Sequence, residues 1–257
     1  MIFYRKEGAG RPVVLLHGFP NDGEAWHNIT GALAEKYLLL IPDLPGAGKS
    51  DLPNEPLTLE YMALAIKDML DREGIKKTIL AGHSMGGYTA LEFAGNYPEY
   101  VAGISLVHSS AYPDTEEKKE NRRKAIQLLL KGDTEKETFL KAMAANLFAA
   151  SFAQRRPEIV NKIARKGMQL PAENLAAFYR AIMQRSDKTT LLEQAKFPVQ
   201  FIIGDEDTAV PAKDMLEQSY LPQVSKISLY NSCGHMSMEE LPGRLSADLL
   251  DFFAYCF

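Results

Sequence analysis

The chain has little of what disulfide scaffolds, membrane proteins and nucleic-acid binders depend on. Its 257 residues include two cysteines, Cys233 and Cys256, too few for a disulfide framework, and a domain of this length needs no staple. Both are expected as free thiols. No apolar run approaches the 18 or more residues of a membrane span; the strong early run is VVLLHG at 13–18. The opening MIFYRKEGAGRP lacks an apolar stretch of signal-peptide length, so a cytoplasmic location without a membrane partner is the expectation. The sequon Asn28-Ile29-Thr30 then reads as a chance match. There is no basic excess: 29 Lys and Arg against 33 Asp and Glu give a net charge of −4, which argues against a dedicated nucleic-acid binder. With 46% apolar and 24% charged residues, long disorder is excluded as well.

What remains is the pattern of strands alternating with helices. Short apolar runs bounded by Gly and Pro occur at Val13–Leu16, Leu38–Ile41, Thr78–Ala81, Ile104–Val107 and Val199–Ile203, with Ile227–Tyr230 near a sheet edge. They lack clean alternation, as strands covered on both faces do, so the fold class is α/β with a mostly parallel sheet. Helices are expected over Thr58–Glu73, Met85–Asn96 and Leu241–Phe253. Between Val107 and Val199 the strand pattern stops, and four helices are expected over Glu116–Leu130, Glu135–Phe152, Pro157–Gln169 and Pro171–Ser186. That block is too long for an ordinary crossover. The expected organisation is a core of residues 1–110 and 191–257 with a helical cap at 111–190. The cap holds 16 of the basic and 10 of the acidic residues, read as solvated helix surface or as steering for an anionic substrate.

The strongest motif is Gly82-His83-Ser84-Met85-Gly86. It matches G-x-S-x-G between a strand and a helix, where small residues permit the sharp turn that projects a serine hydroxyl clear of the sheet. A serine at its resting pKa is a poor nucleophile and needs a base and a group orienting that base. His235, in Cys233-Gly234-His235 after the final strand, is the candidate base. Asp207, in GDEDTAVP at 204–211, is the candidate acid, with Asp205 as a competitor better suited to a turn or cap. Two backbone donors are needed for the oxyanion; Met85 N–H follows the nucleophile and Phe19 N–H lies in His17-Gly18-Phe19-Pro20 after the first strong strand. His17 is read as a support of that loop. The Ser84, Asp207, His235 set suits acyl transfer, and no metal or organic cofactor is required.

Two motifs mislead. Gly48-Lys49-Ser50 imitates the end of a phosphate loop, but Asp43 stands where that loop requires its first glycine. His17 and Asp22 share the H-x-x-x-x-D spacing of some acyltransferases, in an early loop where spacing alone has little weight.

HGFP at 17–20, DLPGAGKS at 43–50, GHSMGG at 82–87, GDEDTAVP at 204–211 and GH at 234–235, in that order, resemble the α/β-hydrolase superfamily, in its capped, serine-nucleophile, carboxylesterase-like branch. The resemblance covers nearly the whole chain and is least specific in the cap. It implies about eight strands, the first ones including Ile2–Arg5. Epoxide hydrolases and haloalkane dehalogenases are similar but use an aspartate nucleophile, which Ser84 disfavours. The leading expectation is a carboxylesterase acting on a small or medium ester, with Phe19, Tyr112 and Met236 as substrate wall. The alternatives are C–C bond cleavage or lyase chemistry in a small oxo-acid held by Arg122, Arg155 or Arg180, and a ligand receptor that retains the triad. The partner is a small molecule in each case, and the sequence carries no signal for an oligomeric state.

Overall fold

A computed structural model describes residues 2–257. Seven strands form one sheet: β1 (Tyr4–Glu7), β2 (Arg11–Leu16), β3 (Tyr37–Pro42), β4 (Thr78–His83), β5 (Val101–Val107), β6 (Val199–Gly204) and β7 (Ser225–Tyr230). Their spatial order is β1-β3-β2-β4-β5-β6-β7, and every pairing is parallel except β1 with β3. All six strands expected from apolar runs are present. The expected total of about eight is corrected to seven among the described residues, because only Tyr4–Glu7 precedes Arg11 as a strand, and it begins two residues later than the expected Ile2.

Alternation along each strand divides the core in two. Val14, Leu16, Leu80, Leu106 and Phe201 point to the face covered by α2 (Leu59–Arg72) and α3 (Met85–Asn96). Val13, Leu15, Ile79, Ala81 and Ile202 point to the face covered by α1 (His27–Ala34) and α12 (Pro242–Cys256). Each buried aliphatic side chain contributes about 1.5–3 kcal/mol relative to exposure, and β4, β5 and β6 are buried at every position. By contrast β7 alternates between exposed and buried residues, as an edge strand should.

Between β5 and β6 lie α4 (Glu116–Lys131), α5 (Asp133–Asn146), α6 (Ala150–Arg155), α7 (Pro157–Gln169), α8 (Ala172–Met183) and α9 (Thr189–Gln194). Thr115 caps α4 by accepting the Lys118 N–H, a contact worth about 1 kcal/mol. The continuous helix expected over Glu135–Phe152 is two helices separated at Leu147–Ala149. No Gly or Pro marks that break. Its backbone instead serves other elements: the Leu147 carbonyl accepts the His235 N–H at 2.7 Å, and the Ala149 N–H donates to Glu240 at 3.0 Å. Many charges of these helices are satisfied along their own surface, as in Lys131–Glu135 and Lys141–Glu137, which favours the solvated-surface reading over steering. Among the described residues no helix is long and apolar enough to cross a membrane. The remaining helices are α10 (Ala212–Gln218) after β6 and α11 (Ser237–Glu240) before α12.

The chain leaves β2 for β3 on one side and returns to β4 on the other, so the strand order reverses between β2 and β4. Crevices at such reversals, at the carboxyl ends of strands, are where open α/β sheets gather ligands. Leu16 and Gly82 are register partners there, which sets His17–Phe19 beside Ser84. The approach is close enough to exclude side chains: a Cβ at Gly86 would lie 2.2 Å from the Leu16 carbonyl oxygen, and one at Gly82 would lie 2.4 Å from the Gly86 oxygen. Because both obstacles are backbone, Gly86→Ala is expected to destabilise the fold by about 3 kcal/mol, read as a lower urea midpoint with an unchanged slope.

Candidate active site

Ser84 links β4 to α3 with φ 50 and ψ −116. A non-glycine residue with positive φ of this kind carries strain on the order of 1–3 kcal/mol. Its backbone is held on two sides: Ser84 N–H donates to the Val107 carbonyl at 3.0 Å, and the Ser109 hydroxyl donates to the Ser84 carbonyl at 2.8 Å. The hydroxyl is thereby presented at the switch point. Gly18 lies against it, since a Cβ there would stand 3.0 Å from the Ser84 Cβ. Phe19 N–H and Met85 N–H donate to no other group among the described residues, so both amides are available on the two sides of the serine.

The loop at Phe19 is built from buried hydrogen bonds. His17 Nε2 accepts the Leu44 N–H at 2.9 Å, so its Nδ1 carries the proton and donates to the Gly18 carbonyl at 3.0 Å. Burial lowers the pKa of this imidazole. With both nitrogens engaged, His17 is a strut for the loop. Asp43 accepts N–H groups from Gly23 and Lys49, each at 2.9 Å; the Lys49 amide of the mimicked phosphate loop thus serves an internal carboxylate. Asp22 caps the short 3₁₀ turn Gly23–Trp26 through the Glu24 N–H and pairs with Lys166 of α7 at 2.5 Å.

His235 follows β7, and its Nδ1 donates to Asp207 Oδ2 at 2.8 Å. Both side chains are buried. Asp207 Oδ1 accepts the N–H groups of Ala209 and Val210, each at 2.9 Å. A second imidazole, His108, donates from Nδ1 to the same Oδ2 at 3.2 Å. Burial alone pushes the Asp207 carboxyl up, but the His235 charge and the hydrogen bonds from His108 and His235 outweigh it and hold it well below the usual carboxylate range. The competitor Asp205 is exposed and accepts the Cys233 N–H at 3.2 Å, a loop contact away from the imidazole.

Two further groups shape the His235 loop. His83, the variable residue of the serine motif, donates from Nε2 to the His235 carbonyl at 2.9 Å; burial, then the charges of His235 and His108, keep its pKa well below the ordinary value. Glu240 accepts from Gly234 N–H and Met236 N–H, and from Ala149 N–H of the helical block. None of His83, His108 and Glu240 was singled out by sequence reasoning. The position of His108 at the end of a buried strand was the available signal for it, since strand ends are where such sheets collect polar residues.

Of the expected substrate-wall residues, Phe19 stacks on Tyr179 at 4.4 Å between centroids and meets Phe178 edge-on at 6.3 Å, both on α8. Met236 is buried in the apolar cluster that includes Phe148 and Phe152. Tyr112 lines a separate surface cavity of about 330 Å³ with Tyr88, Asp114, Arg185 and Asp214. A larger cavity of about 780 Å³ lies along α2 and the Asp51–Glu55 loop, and neither Ser84 nor His235 lines it. Of the arginines considered for a carboxylate, Arg122 is bound by buried Asp114 at 2.7 Å, Arg180 pairs with Glu173 at 3.7 Å, and Arg155 is exposed on α6.

Among the described residues, His108, Asp207 and His235 form the one cluster of metal-ligand type, with donor atoms within 4.8 Å of one another. Hydrogen bonding accounts for it: both Nδ1 protons point at one carboxylate oxygen, and backbone amides fill the other. Both cysteines are free, and burial raises the Cys233 thiol, with Glu240, Asp207 and Asp205 adding to the effect.

A strained serine on a strand-to-helix elbow, two free amides and a buried imidazole–carboxylate pair at the switch point define the hydrolase class of α/β fold. Residues 11–242 match the alpha/beta hydrolase fold family, and the chain belongs to it. It is 28% identical over 272 residues to a 2-hydroxy-6-oxononadienedioate/2-hydroxy-6-oxononatrienedioate hydrolase of Paraburkholderia phymatum, covering 98% of this chain and 90% of that one. It is 26% identical to a 2-hydroxy-6-oxo-6-phenylhexa-2,4-dienoate hydrolase of Comamonas testosteroni, covering 98% and 91%. A thermophilic esterase of Thermogutta terrifontis superposes with a TM-score of 0.93 at 29% identity, covering 99% of this chain and 93% of that one.

Because the folded carboxyl of Asp207 titrates below its unfolded value of about 3.9, its ionised form contributes stability that is present above that pH and is lost as pH falls toward the folded value. Asp207→Asn lacks this titration. The native chain should therefore lose its stability advantage over that variant as pH falls below about pH 4, measured by urea unfolding across the range.

Proposed function

We propose that this chain is a serine hydrolase that cleaves a small or medium carboxylic ester through an acyl-enzyme. The observation that carries the reading is the Ser84 elbow beside a buried His235–Asp207 pair at 2.8 Å. Ser84 Oγ attacks the ester carbonyl and gives its proton to His235 Nε2, whose Nδ1–H stays on Asp207. Phe19 N–H and Met85 N–H receive the oxyanion, in the site where preorganised donors are most effective. His235 then protonates the departing alcohol and activates the water that hydrolyses the acyl-enzyme. Residues 111–190 act as a cap, bringing Phe178 and Tyr179 onto Phe19 to form apolar wall. Tyr112 and Met236 are the weaker members of the proposed wall, one lining a separate cavity and the other packed in the core.

A second reading, C–C bond cleavage in a small oxo-acid, is favoured by the likeness to two hydrolases whose names describe oxo-acid substrates. The ester reading is preferred because Arg122 and Arg180 are already paired with carboxylates and Arg155 is exposed on α6, so none of the three is both buried and unpaired, as a site for a desolvated substrate carboxylate would need. Initial rates on p-nitrophenyl esters of graded acyl length test this against Ser84→Ala. The expected result is turnover in the native chain, falling by about 10³-fold or more in the variant, with a preference for shorter acyl groups. Equal rates in the two chains would overturn the ester reading, and serine-dependent turnover of a vinylogous oxo-acid alone would favour the second.

A further inference from the structure

We propose that His108 is a positioning residue for this reaction, a second imidazole donor that fixes the orientation and charge of Asp207 and thereby adjusts His235 as the base. The proposal rests on the serine hydrolase reading.

His108 stands directly after β5 in a left-handed conformation, φ 49. Its N–H donates to the Ile202 carbonyl of β6 at 2.9 Å, so its backbone is pinned between two central strands. The side chain is fully buried. Since an ionised carboxylate only accepts, the 3.2 Å contact with Asp207 Oδ2 assigns the proton to Nδ1. Nε2 is then bare, and it is buried without a partner. An apolar side chain would fill this place without stranding an acceptor and without a nitrogen to desolvate. The bond to Asp207 is what offsets both penalties.

That bond completes the carboxylate. Two backbone amides hold Oδ1, and two imidazoles share Oδ2, His235 at 2.8 Å and His108 at 3.2 Å. His108 withdraws part of the charge that His235 would otherwise receive. It acts as a dipole: burial lowers its pKa against the opposing pull of Asp207, and a proton added at the buried Nε2 would find no acceptor. The other titratable groups around this cluster are His83 at the end of β4, Asp205 after β6, Cys233 after β7 and Glu240 on α11. Of these, His83 is bonded to the His235 carbonyl, and Asp205 and Glu240 are bonded to backbone amides. Cys233 is held in its thiol form by burial. None of the four supplies an alternative donor to Asp207.

Two measurements decide the matter. In ¹⁵N-histidine-labelled native protein, the His108 signal, identified by its loss in His108→Asn, is expected in the Nδ1–H tautomer; an Nε2–H tautomer overturns the proposal whether or not the chain turns over any ester. In kinetics, His108→Ala is expected to lower kcat about tenfold with little change in KM, and to move the acid limb of kcat/KM upward by about half a pH unit, because the less neutralised carboxylate holds a proton on the base more tightly. His108→Asn keeps an N–H donor and tolerates the left-handed backbone, so it should restore the native limb. An unmoved limb in His108→Ala, or one that Asn fails to restore, reduces His108 to a space-filling role and overturns the proposal. Should the alanine variant fail to fold, the native tautomer decides alone. Failure of the serine hydrolase reading has a different signature, the absence of Ser84-dependent turnover, with the tautomer unaffected.

Discussion

The arrangement of the site turns on one carboxylate. Asp207 brings a charge into a buried place at the end of β6, and an unpaired charge there would be prohibitive. Four donors arriving from three directions remove that difficulty: two amides of its own loop, an imidazole from the end of β5 and an imidazole from the loop after β7. The loop after β6 is thereby closed on itself, and the loop after β7 is drawn in over the sheet. The serine elbow on β4 meets the same cluster through His83, which bonds the His235 backbone.

Parallel strands make this convergence possible. Their carboxyl ends all open on one side of the sheet, so residues distant in sequence arrive together without any one loop having to be long. Alternation along the strands fixes which side chains serve each core, leaving only the residues just past each strand end free to meet one another. His17, Ser84, His108, Asp207 and His235 all lie at or just beyond such ends, or in the loop that follows.

The sheet was largely legible because fully buried strands need unbroken apolar runs, and the six named from the sequence are all strands. Motif order alone admitted Asp205 as well as Asp207; the hydrogen bonds give Asp207 to His235 and Asp205 to the Cys233 N–H. The helix break at Leu147–Ala149 was not legible, since ANLFAAS favours helix locally and the competing partners, His235 and Glu240, lie about ninety residues away in sequence. His108 escaped notice for a related reason: a histidine after a strand has no local signature of its partner. The expected binding role of Tyr112 came from nearness in sequence to a strand end, whereas the residue lines a cavity that neither Ser84 nor His235 borders.

The turn between α5 and α6 touches the loops after β6 and β7 at once. Leu147 C=O holds the His235 amide, Ala149 N–H shares Glu240 with Gly234 and Met236, Ala150 N–H reaches Glu206, and the Asn146 carbonyl accepts the Thr208 hydroxyl. The helical block is therefore structural support for the loop that carries His235. In evolutionary terms, the solvated faces of its helices can drift, while this turn is bound to the core and must be inherited with it. Transplanting the block between relatives would keep the loop of His235 in place only if that turn travelled with its register intact.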